Sequence, residues 1–268
     1  METGLGIVLL IVIVAFAFLK LRGAVAGLYN VANARLKLNQ PLSAKHQHIL
    51  AQFSAYYNTL PQTQKPEFHG RVQKFIYSKR FIPRGFKTVT DEMIVLISAT
   101  AVQLTFGLGE VYLAHFDKIL IYLDTYYSQI NKKYHVGEVN PRMGLIILSW
   151  KGFVDGYADP SDSYNVGIHE MAHAIHFENQ IRNEEYDFLD KSALTLWNQL
   201  SAVEMDKLRT GKPHFFRSYA GTNEHEFFAV ALEYFFEKSI EFKQALPDLY
   251  GVLVKLLNQD PSQYYGSE

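Results

Sequence analysis

Residues 165–178 read NVGIHEMAHAIHFE and contain two histidines four residues apart, His169 and His173. On an α-helix four residues advance by about 400°, so the two imidazoles share one face at a separation of roughly 6 Å. Two neutral imidazoles placed in this way can hold one Zn²⁺ ion. Glu170 follows the first histidine and would lie beside the metal, where it can take a proton from a water molecule. This is the H-E-x-x-H arrangement of zinc metallopeptidases.

The alternative is a chance occurrence of the same letters on an ordinary surface helix. The residues between and around the histidines oppose it, because Ile168, Met171 and Ile175 are apolar and indicate a helix that is buried. A buried helix that carries two histidines and a glutamate needs partners for their polar groups. The stretch therefore favours a zinc site.

The composition of the whole chain limits the classes of function. The 268 residues suffice for one large domain with or without an appendage. The net charge is −1, with 26 basic and 27 acidic residues, so no nucleic-acid partner is expected. Cysteine is absent, so any bound metal must use histidine, carboxylate or water as ligands.

An apolar run at residues 4–19, GLGIVLLIVIVAFAFL, precedes the rest of the chain. A signal peptide would begin with a basic segment, which is missing here, and a buried helix rarely lacks polar residues over four turns. A membrane anchor is the favoured reading, with Lys20 at the end of the run reaching the interface. We expect an anchor at 1–23, a linker at 24–45 and a folded domain at 46–268.

The charges that flank this run predict the orientation of the chain. Lys20 and Arg22 follow the run and Glu2 precedes it, and positive charge stays on the cytoplasmic side of a membrane. The expected location is the cell inner membrane, crossed once, with the catalytic domain in the cytoplasm.

Helical periodicity dominates the remaining sequence, and two runs look like strands. The apolar helix at 93–106 contains polar residues and is short for a second span, so it is expected in the core. The expected helices are 46–60, 65–78, 93–106, 192–209, 224–238 and 247–258. The strand-like runs are 119–126 and 145–150, with a turn at 140–144 and a polar loop at 156–163. The second run could be an edge strand along which a peptide pairs. The pattern predicts an α+β class, mostly helical with a small mixed sheet.

A catalytic zinc site needs a third protein ligand. His176 lies on the same face as His169 but about 10 Å along the helix axis, so an unbroken helix cannot bring both to one ion. A carboxylate on another helix is the better source. The apolar segment 223–237 carries Glu226 and Glu233 on one face, and burial there would require a cation. One ion can take only one of them, because they are also about 10 Å apart.

The pair HEMAH (169–173) and EFFAVALEYFF (226–236) resembles the MtfA family of zincin peptidases, also called the glucose-regulated metallopeptidase or Mlc titration factor A family. LSW at 148–150, Asn165-Val166 and TDEMIVLISATAV at 90–102 add to the likeness. The resemblance implies a zincin-like fold with one zinc ion held by His169, His173 and Glu226. It also implies that Glu170 is the catalytic acid/base and that Tyr219 is an active-site tyrosine. Glu233 would then suit a role behind the ligands, accepting a hydrogen bond from one of the histidines.

The implied activity is that of a zinc metallopeptidase, described in this family as aminopeptidase-like, which acts on a peptide or protein. Members also bind a sugar-responsive transcription repressor. The alternative function is a membrane-tethered zincin scaffold that binds such a regulatory protein, with weak or incidental hydrolysis. The sequence departs from the family pattern at Met171, where Phe is common, and at His176, where Asp is common.

Overall fold

The computed structural model describes residues 40–128, 132–158 and 162–264. Leu42, whose side chain is buried in the core, is the first residue of the folded domain. The predicted membrane anchor at 1–23 lies outside the described residues, as does the predicted linker as far as residue 39.

Three helices open the domain: α1 (Ala44–Phe53), α2 (Ala55–Thr59) and α3 (Lys65–Ser78). The sequence predicted one helix over 46–60, but the backbone becomes extended at Ser54. The Ser54 hydroxyl accepts a hydrogen bond from the Tyr57 backbone N–H at 3.3 Å. Because a serine side chain can satisfy the free donors at a helix start, Ser54 ends α1 and caps α2.

Helix α4 (Asp91–Thr105) passes through the core, and each of its residues from position 95 to 105 is buried. Thr90 caps its start as predicted, by accepting a hydrogen bond from the Met93 backbone N–H. By length and composition alone, the stretch Asp91–Leu108 could cross a membrane, yet 67% of it is buried inside the domain. The core accounts for its apolar character, as the sequence predicted.

The described chain supplies six short strands: β1 (Arg80–Arg84), β2 (Lys118–Tyr122), β3 (Tyr126–Ser128), β4 (Lys133–His135), β5 (Gly137–Asn140) and β6 (Leu145–Ser149). Four of them form a mixed sheet in the order β1-β2-β6-β5, in which only β5 is antiparallel to its neighbour. Strands β3 and β4 form a separate antiparallel pair. The predicted single strand at 119–126 is therefore two strands that belong to different sheets.

The prediction that residues 145–150 form the edge strand is wrong, because β6 lies between β2 and β5. The predicted turn at 140–144 explains why. Gly144 adopts a left-handed conformation with φ 61°, which glycine permits at little cost, and this allows the chain to fold back. Strand β5 then forms antiparallel hydrogen bonds along β6. Strand β5 is thus the edge of the sheet on this side.

Six helices complete the described chain: α5 (Trp150–Ala158), α6 (Val166–Gln180), α7 (Lys191–Arg209), α8 (Glu224–Glu237), α9 (Ser239–Ala245) and α10 (Pro247–Leu257). The loop predicted at 156–163 begins too early, because Gly156 is still helical. A β-carbon at Gly156 would lie 2.8 Å from the Asn165 α-carbon, so a glycine is needed where α5 meets the start of α6. Helices α6 and α8 pack against each other in the core. The architecture is mostly helical with a small mixed sheet, which confirms the α+β class.

Candidate metal centre

Helix α6 carries the H-E-x-x-H residues and starts at a strong cap. The Asn165 side chain accepts a hydrogen bond from the Ile168 backbone N–H at 3.0 Å, which satisfies one free donor of the first turn. Ile168, Met171 and Ile175 are buried on the core side of the helix. Burial of this face fixes the rotation of α6, so that its histidines face α8.

Helix α8 is positioned in the same manner. The Asn223 side chain accepts hydrogen bonds from the backbone N–H groups of His225 and Glu226. Phe227 and Phe228 are buried, and both rings contact Trp197 of α7. This packing turns Glu226 towards α6.

Three side chains converge where the two helices face each other, and they are the predicted ligands His169, His173 and Glu226. The His169 Nε2 atom lies 3.1 Å from His173 Nε2 and 3.0 Å from Glu226 Oε2. The His173 Nε2 atom lies 3.5 Å from the same carboxylate oxygen. In a tetrahedral site with bonds of about 2.0–2.1 Å, neighbouring ligand atoms are about 3.3 Å apart. The three donor atoms therefore have the spacing of one triangular face of such a site.

The hydrogen-bond partners of His169 also favour a cation at this point. His169 Nδ1 donates a hydrogen bond to the Glu233 carboxylate at 2.7 Å. In the neutral tautomer this leaves a lone pair on Nε2, directed at the Glu226 carboxylate and at His173. Two acceptors at 3.0 Å repel each other unless a proton or a metal ion lies between them. The donor set thus fits a divalent metal ion.

Burial and the hydrogen bonds between the imidazoles and the carboxylates also shift the pKa values of the residues at this centre. Burial lowers the pKa of His169, but its hydrogen bonds to Glu226 and Glu233 outweigh burial and raise the pKa to about 10. Burial also acts to raise the pKa of Glu226, yet its hydrogen bonds with the two imidazoles hold that pKa well below its usual range. Burial lowers the pKa of His173, which favours the neutral imidazole that a metal requires. The carboxylates around His169 therefore attract positive charge to this point.

Glu233 makes the contact that the sequence analysis expected of it. Its side chain is only 1% exposed and accepts hydrogen bonds from His169 Nδ1 and from the Asn165 backbone N–H. Arg217 adds a third donor at 2.5 Å. A buried carboxylate with three donors holds the imidazole in one tautomer and one orientation.

Glu170 lies beside the three converging side chains and is buried. Burial raises the pKa of Glu170 to about 8; the positive charge of His169 opposes this rise, and the carboxylates of Glu226 and Glu233 add to it. A carboxyl group whose pKa lies near neutrality can both accept and return a proton. The arrangement can therefore serve acid–base chemistry next to a bound ion.

Tyr219 lies on a 3₁₀ turn (Ser218–Gly221) that leads into α8. Its ring centroid is 6.2 Å from that of His169, at the mouth of the site. Burial of the hydroxyl and its position beside Glu226 raise the pKa of Tyr219 to about 12, so the hydroxyl keeps its proton at neutral pH. Tyr219 can thus donate a hydrogen bond to a group bound near the metal position.

The other candidate ligands lie elsewhere. The ring of His176 contacts His225 and Phe228, and burial lowers the pKa of His176 to about 4. It is not part of the converging group. The Glu224 side chain is 72% exposed at the start of α8. The position of His176 agrees with the sequence argument against it as a ligand.

Among the residues of the site that the sequence analysis missed are His135, Gly137 and Arg217. A cavity of about 430 Å³ and another of about 260 Å³ flank the centre, and both are lined by His135, Gly137, His169, Glu170 and Tyr219. An isolated glycine in a strand can signal a close approach of another group, but β5 was not predicted as a strand. Nothing in the sequence around Arg217 indicates its contact with Glu233.

Comparison with known proteins agrees with the metal centre described above. The sequence profile of the glucose-regulated metallo-peptidase M90 family matches residues 29–257. An uncharacterized protein of Synechocystis is 29% identical over 237 residues, which are 83% of this chain and 86% of that protein. Mlc titration factor A of Salmonella agona is 25% identical over 211 residues, or 72% of this chain and 78% of that protein, and its counterpart in Salmonella paratyphi B gives the same figures. The chain therefore belongs to the glucose-regulated metallopeptidase family, which confirms the resemblance seen in its two motifs.

Proposed function

We propose that this protein is a zinc-dependent peptidase whose ion is held by His169, His173 and Glu226. One observation carries the proposal. The buried Glu170 carboxyl lies beside three donor atoms with tetrahedral spacing, at the junction of two cavities that can hold the two sides of a peptide. Family membership supports a metallopeptidase, and the finer assignment to zinc, to a zincin-like fold and to peptide-bond hydrolysis is our inference.

A bound divalent ion supplies Lewis acidity, which activates water and polarises a carbonyl group. Glu170, which lies beside the ligand residues, takes the proton of the attacking water and returns it to the leaving amine. The Tyr219 hydroxyl, which keeps its proton, donates a hydrogen bond to the oxygen on which negative charge develops. Glu233 and Arg217 hold His169 in the tautomer that leaves Nε2 free for the ion.

The edge strand β5 would hold the peptide backbone. Among the described strands, only β6 pairs with β5, so no described strand covers the other edge of β5. Gly137, Glu138 and Val139 of β5 line the cavity next to His173 and Glu226. An extended peptide adding to this edge would lie across the metal centre with its backbone fixed by strand-like hydrogen bonds.

The decisive test is hydrolysis of a peptide library by the zinc-loaded protein and by Glu170→Gln. We expect cleavage by the wild type, inhibition by a chelator, and a loss of about 10²–10⁴-fold in the variant, because an amide cannot accept the proton of water. Zinc content should be equal in both proteins. Cleavage at the first bond of each peptide would identify the aminopeptidase-like action that the resemblance implies. Full activity of metal-replete Glu170→Gln would refute the proposal.

A second candidate function is the binding of a regulatory protein such as a transcription repressor. The observation in its favour is the name of the Salmonella relatives, Mlc titration factor A. In that case the domain would serve mainly as a scaffold with incidental hydrolysis. A protein that turns over no peptide, yet retains a regulator equally well with and without chelator, would favour this function over the first.

We also propose that the apolar run at 4–19 anchors the protein in the cell inner membrane with the domain on the cytoplasmic side. The run itself and the positive charges after it support this location. The full-length chain should stay with membranes during carbonate extraction. Its domain should resist protease added outside intact cells, and digestion from outside would refute the orientation.

A further inference from the structure

The two cavities beside the metal centre differ in their chemistry. The smaller one is lined mostly by polar side chains, among them Glu138, Asn223 and His225. The larger one, the tyrosine pocket, has a volume of about 430 Å³ and is lined by three tyrosines, Tyr134, Tyr164 and Tyr219. Both open on Glu170, so each lies next to the bond that the proposed chemistry would break.

The tyrosines of this pocket are unusually open to solvent. Tyr134 is 74% exposed and Tyr164 is 60% exposed, and Val136, which also lines the pocket, is exposed as well. Single exposed apolar residues are normal on a protein surface, but several that line one cavity mark a binding site. Aromatic side chains gain most from covering a large apolar or aromatic group.

The walls are held in place by contacts with neighbouring side chains. The Tyr134 ring meets the Tyr127 ring edge to face, with centroids 5.5 Å apart. The Tyr164 ring lies under the Arg217 guanidinium, whose carbon atom is 4.3 Å from the ring centroid. A wall that is already ordered loses little conformational entropy when a ligand side chain enters.

The charge of the pocket argues against an acidic occupant. Arg217 is the cation of the wall, but it is paired with Glu233 at 2.5 Å and also donates to the Ser163 carbonyl. Its charge is therefore already matched by a buried carboxylate. Glu170 adds a carboxyl group at the inner end of the pocket. Among the described residues that line this pocket, an incoming carboxylate side chain would find no unpaired cationic side chain, whereas an aromatic ring would find aromatic walls.

We propose that the tyrosine pocket binds the large aromatic or apolar side chain of the peptide residue next to the scissile bond. This inference rests on the proposed function and names the class of substrate. Tyr134 and Tyr164 are then the residues that determine specificity. Recognition depends on ring surface, so the Tyr164 hydroxyl is not needed for it.

The test uses three peptides with a free amino terminus that carry Phe, Ala or Asp at the second position and Gly elsewhere, so that cleavage at the first bond or at an internal bond can occur next to the variable residue. Binding is measured by calorimetry with zinc-loaded, full-length Glu170→Gln, so that no turnover is needed, and hydrolysis is measured with the wild type. We expect the Phe peptide to bind at least about tenfold more tightly than the other two, the size of effect that one apolar pocket gives. Equal affinities would overturn the inference. Hydrolysis of all three peptides at equal rates would overturn it while leaving the proposed function intact.

Variants distinguish the contribution of the tyrosine pocket to the preference for Phe from nonspecific effects of mutation. In the Glu170→Gln background, Tyr164→Ala should abolish the preference for Phe, whereas Tyr164→Phe should keep it. Tyr186→Ala is the matched control, because Tyr186 is equally an exposed tyrosine but lines neither cavity. If Tyr164→Ala keeps the full preference for Phe, Tyr164 does not form the pocket and the inference is wrong. If no peptide is hydrolysed but the Phe preference in binding persists and depends on Tyr164, the proposed function fails and the pocket assignment stands.

Discussion

Gly137 of strand β5 faces Glu170 of helix α6 so closely that a β-carbon on the glycine would lie 2.7 Å from the Glu170 carboxyl carbon. Real side chains do not approach to this distance, so any other residue at 137 would displace the carboxylate. The φ angle of Gly137 is not positive, and the backbone itself would accept alanine. The glycine is thus required by the space that Glu170 occupies.

Gly137→Ala should therefore reduce peptide hydrolysis while leaving zinc content unchanged. A misplacement of about 1 Å at a catalytic group can cost about 10²-fold in rate. The measurement is kcat for a cleaved peptide together with metal analysis. Gly251→Ala is the control, because nothing lies within 4 Å of a β-carbon at that helical position. Wild-type kcat in Gly137→Ala would show that Glu170 is not held against β5.

The local part of the site could be predicted from sequence because the geometry of a single helix fixes it. His169, Glu170 and His173 are neighbours on α6 in any structure that keeps the helix. Thr90 at the start of α4 is a similar case, since a cap depends only on the three residues that follow it. Within the carboxylate-bearing helix, spacing alone left Glu226 and Glu233 open, and the family resemblance chose between them.

The rest of the site depends on contacts between segments that are far apart in the sequence. The sequence pattern carries little information about such contacts. Gly137 matters only because the β5–β6 pairing brings β5 beside α6. Arg217 reaches Glu233 from a segment without regular pattern. The edge-strand prediction for residues 145–150 failed because sequence periodicity indicates a strand but does not indicate which strands lie next to it.

Tyr219→Phe should lower kcat with little change in KM. The hydroxyl would touch the substrate oxygen most strongly in the transition state, so its removal affects the chemical step rather than binding. Loss of one such donor is worth about 2.7–4 kcal/mol in comparable sites, or about 10²–10³-fold in rate. Steady-state kinetics on one peptide measure both constants. A rise in KM at unchanged kcat would instead place Tyr219 among the residues that only bind the peptide.

Arg217→Met should weaken zinc binding although Arg217 is not a ligand. It removes one of the three donors to the buried Glu233 carboxylate, which then holds His169 less firmly. Loss of such an outer partner typically costs about 10–100-fold in metal affinity. Competition with a chromophoric chelator measures the Kd, and Arg217→Lys should fall between Met and wild type because it keeps a charge but not the fork of donors. An unchanged Kd in Arg217→Met would mean that Asn165 and His169 alone suffice to fix Glu233.

Glu226→Ala and Glu224→Ala form a matched pair for the third ligand, since both remove a carboxylate from the first turn of α8. Glu226 lies 3.0 Å from His169 Nε2, whereas Glu224 is exposed. Glu226→Ala should lose bound metal and hydrolysis together, and Glu224→Ala should keep both. Metal analysis after dialysis against a weak chelator distinguishes them. Stoichiometric zinc in Glu226→Ala would disprove its assignment as ligand.

We expect Glu237, one turn beyond Glu233 on α8, to make the stability of the protein depend on pH. Its Oε1 atom accepts a hydrogen bond from Asn165 Nδ2 at 2.9 Å, and within the described chain its buried Oε2 atom has no hydrogen-bond partner. Burial, with the negative charge of Glu233, raises the pKa of Glu237 to about 8 from a usual value of 4.5. At a pH between these two pKa values, Glu237 is ionised in the unfolded chain but keeps its proton in the folded chain. The unfolded state then binds fewer protons, so stability falls as the pH rises.

Glu237→Gln should remove this dependence, because the amide keeps the carbonyl acceptor for Asn165 and never ionises. The stability of the variant relative to the wild type should be flat below about pH 4.5. It should increase by at most about 1.4 kcal/mol per pH unit up to about pH 8, and level off above it. Urea unfolding of both zinc-loaded proteins at several pH values measures the difference, in which effects of pH on the metal centre cancel. Glu241→Gln, a change at an exposed acid on α9, is the control and should give a constant difference. A constant difference for Glu237→Gln as well would show that Glu237 ionises alike in the folded and unfolded chains, so that its burial against Asn165 does not retain a proton.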